Sequence, residues 1–318
     1  AGIGLGDKPL KETLTMMRKF KNKKNGWLST DILIVDEVSM MSSDLFELLD
    51  GIGKSIRKSP LPFGGIQVVF VGDFYQLPPV EGKFCCESPL WSIFKIISLV
   101  KIFRQKDEVY QKILNQIRIG RITKSSVNIL ESRVIPPTIP CTKLFPTRQK
   151  VDQVNFTEYA KLPGDEHIYY METSGPDPPE GQPIIHLKVG CRVMHTVNHE
   201  GLCNGSQGVV IGFETYPIIR FINGPDKVIL PYIWKHEDPI TKIISITEQL
   251  PIIHAWAMTI HKAQGATLDC AEVDVGSGIF ECGQTYVALS RVKNLEGLFL
   301  TSFDISKIKI HPSSKLIC

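Results

Sequence analysis

Two short apolar runs, each closed by acidic residues and separated by one amphipathic stretch, constrain the fold of this chain most tightly. Ile32-Leu33-Ile34-Val35 ends in Asp36-Glu37, and Val68-Val69-Phe70-Val71 ends in Gly72-Asp73. Neither run alternates, and short β-branched runs of this kind suit strands buried on both faces, as in a parallel sheet covered by helices. Between them, residues 44–58 carry Leu45, Leu48, Leu49, Ile52 and Ile56 at helical spacing. That helix supplies the crossover a parallel pair requires, so a βαβ unit is expected. In open α/β sheets the chemistry gathers outside the carboxyl ends of the strands, where Asp36-Glu37 and Asp73 fall.

Beyond Phe103-Arg104-Gln105 the pattern is helical over residues 109–119, and a strand over Thr142–Phe145 leads into Pro146-Thr147-Arg148. A second α/β domain begins there. From 188 to 250 the texture changes to short alternating strands broken by Asn204-Gly205 and Asn223-Gly224, both hairpin-turn dipeptides. A small β-barrel inserted in the second domain is the simplest account, with the proline-rich residues 175–183 as the linker into it. The α/β pattern resumes over 255–264, 272–275 and 299–303. At 318 residues and 43% hydrophobic content the chain has material for about two cores.

The net charge of +3 gives only a weak overall field, so any nucleic-acid site must be local. Eight cysteines are scattered without zinc spacing, which fits a reducing, intracellular setting and no structural metal. No run of about twenty apolar residues occurs, so no membrane partner is expected.

Asp36 and Glu37 at the end of a buried strand are what a nucleotide hydrolase uses, one carboxylate to hold magnesium and the other to orient or deprotonate water. A solvated strand end reads the same way, so the doublet alone does not decide. Gly72-Asp73-Phe74-Tyr75-Gln76-Leu77-Pro78-Pro79 adds an amide side chain, Gln76, at the neighbouring strand end, suited to a terminal phosphate or its attacking water. Arg104 and Arg291 are candidate cations for a phosphoryl-transfer transition state, Arg104 at the expected domain junction and Arg291 after the small-residue segment Tyr286-Val287-Ala288-Leu289-Ser290. Thr259-Ile260-His261-Lys262-Ala263-Gln264-Gly265 sets several donors on one short stretch, suitable for phosphates of DNA or of a nucleotide, although His261 alone reads equally as a core histidine. Gly53-Lys54-Ser55 resembles the end of a phosphate-binding loop, G-x-x-x-x-G-K-[ST], but Leu48 stands where the first glycine belongs and the segment lies within the expected helix.

Taken in order, these motifs resemble the PIF helicases of superfamily one, relatives of the RecD helicases. Asp36-Glu37-Val38-Ser39-Met40-Met41, the segment from Pro62-Phe63-Gly64-Gly65 to Gly72-Asp73-Phe74, Phe103-Arg104-Gln105 and Leu144-Phe145-Pro146-Thr147-Arg148 carry the first part of the likeness. Leu187-Lys188-Val189-Gly190, His261-Lys262-Ala263-Gln264-Gly265 and Tyr286-Val287-Ala288-Leu289-Ser290-Arg291-Val292 carry the rest. The resemblance implies an α/β chain of two RecA-like, P-loop NTPase-type domains. The first, incomplete, would take residues 1–107 and the second 108–187 and 251–318, with the barrel at 188–250. It further implies ATP and magnesium at Asp36 and Glu37, phosphate sensing by Gln76, and arginine fingers at Arg104 and Arg291. Gly265 would touch both nucleotide and DNA, while Thr147, Arg148, Thr259, His261 and Lys262 would line a groove for single-stranded DNA near duplex junctions. Translocation would run from 5′ to 3′.

Ala1-Gly2-Ile3-Gly4-Leu5-Gly6 opens without methionine and resembles the tail of the family's early DNA-contacting motif, so a fragment is expected, with the lysine-bearing phosphate loop upstream of residue 1 and the first sheet left with an uncovered edge. A RecD-type helicase and an ATP-independent single-strand binding module are the alternatives. A phosphate loop shortly upstream would mean a motor, and its absence a binding module.

Overall fold

A computed structural model describes residues 6, 8–19, 21–139, 141–222, 224–237 and 243–316. Helices α1 (Leu10–Lys19) and α2 (Lys21–Ser29) precede strand β1 (Ile32–Val35), helix α3 (Ser43–Arg57), strand β2 (Gln67–Phe70) and helices α4 (Glu108–Arg118) and α5 (Lys124–Glu131). Strand β3 (Thr142–Phe145) and helix α6 (Arg148–Lys161) follow, then β4 (His167–Tyr170), β5 (Glu172–Ser174), β6 (Ile184–Leu187), β7 (Arg192–His195), β8 (Gln207–Phe213), β9 (Pro217–Phe221) and β10 (Asp226–Val228). The chain continues through β11 (Tyr232–Glu237), β12 (Ile244–Gln249), β13 (Ile252–His254), β14 (Ala257–Thr259) and β15 (Ala271–Val275) to helix α7 (Gln284–Leu289) and β16 (Leu298–Phe303).

Two compact units result. One comprises residues 1–133, 275–295 and 303–318, the other 134–274 and 296–302. Helix α4 and residues 275–295, assigned by the sequence pattern to the second domain, therefore group with the first.

In the first unit β1 and β2 pair in parallel, Ile32 opposite Gln67 and Val35 opposite Phe70, with α3 as the crossover. Helix α3 starts where the Ser42 hydroxyl accepts from the Leu45 N–H at 3.2 Å and stops at Lys58 in the left-handed conformation, φ 52°. Its inner stripe includes Phe46, whose ring sits 5.5–5.9 Å from those of Phe63, Phe70, Trp91 and Phe94. Such aromatic pairs add about 0.5–1.5 kcal/mol each beyond their buried area. The strands are not buried on both faces: exposure alternates, and Ile32 and Ile34 are 54% and 68% exposed while Leu33, Val35, Val68 and Phe70 pack inward. Only one face of this pair meets a core among the described residues.

The segment after α3 accounts for the glycine mistaken most easily for part of a phosphate loop. Gly53 lies inside α3, and a Cβ there would stand 2.4 Å from the Phe63 carbonyl oxygen, while one on Gly64 would stand 2.3 Å from the Gly53 oxygen. The two glycines let the helix and the 62–65 turn touch backbone to backbone. Around them the Asp50 carboxylate accepts from the Phe63 N–H at 2.7 Å, and the Arg57 guanidinium donates to the carbonyls of Gly64, Trp27, Leu28 and Thr30. Lys54 is paired with Asp50 at 2.7 Å.

In the second unit β14 and β15 flank β3 in parallel, and β16 lies outside β15. The intervening region is antiparallel as expected, but its pairings among the described residues form three sheets, β10-β9-β8-β7-β13, β11-β12-β5 and β4-β6, rather than one closed barrel. The proline-rich segment is pinned along β12, where Pro179 and Asp177 bond the Thr247 and Ser245 hydroxyls. Asn204-Gly205 turns within a longer β7–β8 connection, and Asn223 and Ala1 to Leu5 lie outside the described residues.

Gly53→Ala forces a methyl into the Phe63 carbonyl and is expected to cost about 1–3 kcal/mol, the usual range for overpacking. A methyl added at Gly26, within α2, would meet nothing within 4 Å, so Gly26→Ala should gain up to about 1 kcal/mol from helix propensity. Urea midpoints of the two variants check both signs.

Candidate nucleotide site

The parallel register brings the two strand ends together. Asp36 follows β1, and the chain then turns sharply: the Glu37 N–H donates to Asp36 Oδ1 at 2.8 Å, and Glu37 sits at φ 51°, ψ 45°. Left-handed backbone at a residue other than glycine carries local strain and is found preferentially where geometry serves a site. Val38 N–H donates to the Val71 carbonyl at 3.0 Å, which sets the Gly72-Asp73 strand end directly beside Glu37.

The loop after β2 is built on Asp73. Its Oδ1 accepts from the Tyr75 N–H at 3.1 Å, and its carbonyl accepts from the Gln76 N–H at 2.9 Å. Gln76 Oε1 is buried with no hydrogen-bond partner among the described residues. Buried side-chain oxygens are usually bonded, so this one stands out from the rest of the fold.

Both candidate arginines lie in this same unit: Arg104 where the sequence pattern put it, and Arg291 here rather than with the second domain. Helix α7 is drawn in by α4: the buried Tyr110 hydroxyl donates to the Leu289 carbonyl at 2.6 Å, and Gln105 Nε2 donates to the carbonyls of Ser290 and Val292 at 2.9 and 2.8 Å. Arg104 donates to the Ser290 carbonyl at 3.2 Å. Arg291 is only 2% exposed, its guanidinium bonded to the Val287 carbonyl and the Ser290 hydroxyl at 2.9 and 2.7 Å. Burial, and then the neighbouring Arg104 cation, push the Arg291 pKa down to about 10, while Tyr286 and Glu37 act against the shift. Burial likewise lowers that of Arg104, opposed by Tyr286 and Glu37. Arg291 stays charged at neutral pH. Two cations side by side, one shut from water, form a costly arrangement that an arriving anion relieves.

Several members of this cluster carried no site role in the sequence pattern. Arg118 donates to both Asp73 oxygens at 2.8 Å, and Tyr286, pushed up to about 12 by burial and then by Asp73, lies within reach of Arg118, Arg291 and Arg104. Tyr110 and Gln105 hold α7. These residues come from chain positions far apart, so periodicity carries no trace of their grouping. Gly265, expected at the nucleotide, belongs to the second unit, φ 79°.

The candidate DNA residues gather within the second unit. Phe145 pairs with Thr259 in parallel, and the Ile260 N–H donates to the Phe145 carbonyl at 3.0 Å, so the segments leaving β3 and β14 emerge at one sheet end. Thr147 and Arg148 are exposed there, Lys262 is exposed, His261 half-buried, and the buried Thr259 hydroxyl accepts from the Lys262 N–H at 3.2 Å. Thr147 caps α6 by position without a side-chain cap bond, and Arg148 and Lys150 occupy the first turn with no acidic residue. Cations at a helix N-terminus run against its dipole, and they suit a place where anions dock.

An α/β architecture with carboxylates at one parallel strand end and clustered arginines beside them defines the class to which the comparisons also point. Residues 1–128 match the family model of PIF1-like helicases. The crystal structure of Pif1 helicase from Candida albicans superposes with a TM-score of 0.92 at 33% identity, over 99% of this chain and 82% of that one. Pif1 helicase from Bacteroides in complex with ADP-AlF3 and single-stranded DNA gives 0.75 at 28% identity, over 93% and 76%. The human ATP-dependent DNA helicase PIF1 is 35% identical over 338 aligned residues, covering 98% of this chain and 52% of the relative. The chain belongs to the PIF1-like helicase family and has its RecA-like helicase fold. It spans about half the length of the curated relatives it matches.

Tyr110→Phe removes one buried hydrogen bond and leaves the Leu289 carbonyl with the longer bond from the Val292 N–H, at 3.3 Å. The expected loss is about 1 kcal/mol, read from the urea midpoint of the variant.

Proposed function

We propose that this chain is the part of an ATP-dependent DNA helicase that completes the hydrolytic site and carries a track for single-stranded DNA. The observation that supports it is Glu37, next to Asp36 at the end of β1, within electrostatic reach of Arg104 and the buried Arg291 in one compact unit. In this reading Glu37 accepts a proton from the attacking water, Gln76 orients that water through its uncommitted oxygen, and the two arginines meet the charge that develops on the γ-phosphoryl oxygens.

Magnesium is read as part of the site. Among the described residues no group of three or more His, Cys, Asp or Glu could hold a metal by itself. One or two carboxylates with substrate phosphates is how magnesium is ordinarily bound, and Asp36, with one oxygen engaged by the Glu37 N–H, has the other left for it. Asp36 would hold the ion together with the nucleotide, and magnesium there would supply positive charge against that of the phosphates.

Thr147, Arg148, Thr259, His261 and Lys262 are assigned to the single-strand track, with Gly265 in the motif between track and nucleotide and movement from 5′ to 3′. The Bacteroides relative whose structure holds single-stranded DNA supports the partner. These 318 residues contain no G-x-x-x-x-G-K-[ST] loop, so the isolated chain should release no phosphate from ATP, and the hydrolytic assay calls for a longer protein that has one.

In that longer protein Glu37→Gln is expected to lower kcat by about 10²–10⁴ while ATP and single-strand affinities stay within about twofold. Turnover equal to the parent's would remove Glu37 from the mechanism.

A further inference from the structure

We propose that Arg118 is a positioning residue for hydrolysis: by clamping Asp73 it holds the turn that presents Gln76, and its helix ties that turn to the helix that leads into Arg291. This rests on the reading of Gln76 as the residue that senses phosphate or water. Arg118 lies in the last turn of α4, 45 residues from Asp73 in sequence. Its Nε and Nη2 donate to Oδ2 and Oδ1, each at 2.8 Å, in a two-pronged pair, and its Cζ lies 4.4 Å over the Tyr75 ring. A single surface ion pair contributes little to stability, but a planar fork that also stacks on a ring fixes direction, which a lysine cannot do.

What is fixed is the path to Gln76. Asp73 Oδ1, one of the clamped atoms, accepts from the Tyr75 N–H, and the Asp73 carbonyl accepts from the Gln76 N–H, so clamp, turn and sensor share consecutive bonds. The other side of the turn is seated on α7. Gly283, at φ 73°, begins that helix, and a Cβ there would lie 2.4 Å from the Gln76 carbonyl oxygen and 2.7 Å from that of Tyr75. Eight residues before Arg118 on α4, Tyr110 bonds Leu289 at the end of α7. One helix therefore references both the amide and the arginine to a common frame. Misplacing a reacting group by about 1 Å costs on the order of 10² in rate.

In the full-length protein Arg118→Ala and Arg118→Lys are each expected to lower kcat by roughly 10–100-fold, with KM for ATP and affinity for a single-stranded oligonucleotide within about twofold. Asp73→Asn should do the same, and the Arg118→Ala/Asp73→Asn double variant should cost no more than either alone, because they act through one contact. Gln76→Ala and amide hydrogen exchange of Tyr75 and Gln76 are measured alongside. A loss of kcat in Gln76→Ala with none in Arg118→Ala overturns the clamp and leaves the sensor. Silence of Gln76→Ala overturns the sensor reading, and faster exchange in Arg118→Ala then still shows the clamp holding the turn. A fully rescuing Arg118→Lys, or additive losses in the double variant, would reduce Arg118 to a charge and contradict the proposal.

Discussion

A guanidinium kept from water is the constraint on which the first unit turns. Arg291 is 2% exposed and has Arg104 for a neighbour. Desolvation and like charge both oppose that placement, so something must hold α7 against it. What holds it is neutral: the Tyr110 hydroxyl on Leu289, the Gln105 amide on Ser290 and Val292, and backbone contact of Gly283 with residues 75–76. Packing and dipoles thus fix a concentration of positive charge beside Glu37 before any anion arrives. Preorganisation of this kind is how a site avoids reorganising at the moment of reaction.

The same economy explains the strained corner. Glu37 adopts left-handed backbone where the chain leaves β1, turns so that its own N–H meets the Asp36 carboxylate, and bonds Val71 through Val38. A strand that simply continued would send successive side chains to opposite faces.

Much of this was legible in the sequence where local pattern carries it. The spacing of Leu45, Leu48, Leu49, Ile52 and Ile56 announces α3, the 109–119 stripe announces α4, and the β-branched runs announce β1 and β2. The runs misled on burial, because composition marks a strand as apolar without saying whether both faces are covered, and Ile32 and Ile34 stay exposed. Phe46, central to the aromatic cluster, was missed for the ordinary reason that its partners Phe63, Phe70, Trp91 and Phe94 are assembled only by the fold. Asp36, Glu37, Gln76, Arg104 and Arg291 were legible as motif residues, and Thr147 and Lys262 as strand-end residues. Their grouping was not, since the clustering of residues 275–295 with 1–133 depends on contacts such as Tyr110 to Leu289 that span 179 residues. Arg118 gave no sign, being one basic residue on the last turn of a helix, where the dipole favours it anyway.

The central claim is that the two arginines, Glu37 and Gln76 face one γ-phosphoryl group. The most direct measurement is the structure of the complete protein with magnesium, ADP and aluminium fluoride, in which the fluoride stands in for that group in transfer. The account requires guanidinium nitrogens of both Arg104 and Arg291 within hydrogen-bond distance of fluoride, with a water held between the metal fluoride, Glu37 and Gln76. A complex in which Arg291 remains bonded only to Val287 and Ser290, or in which Gln76 faces away from the fluoride, would contradict it.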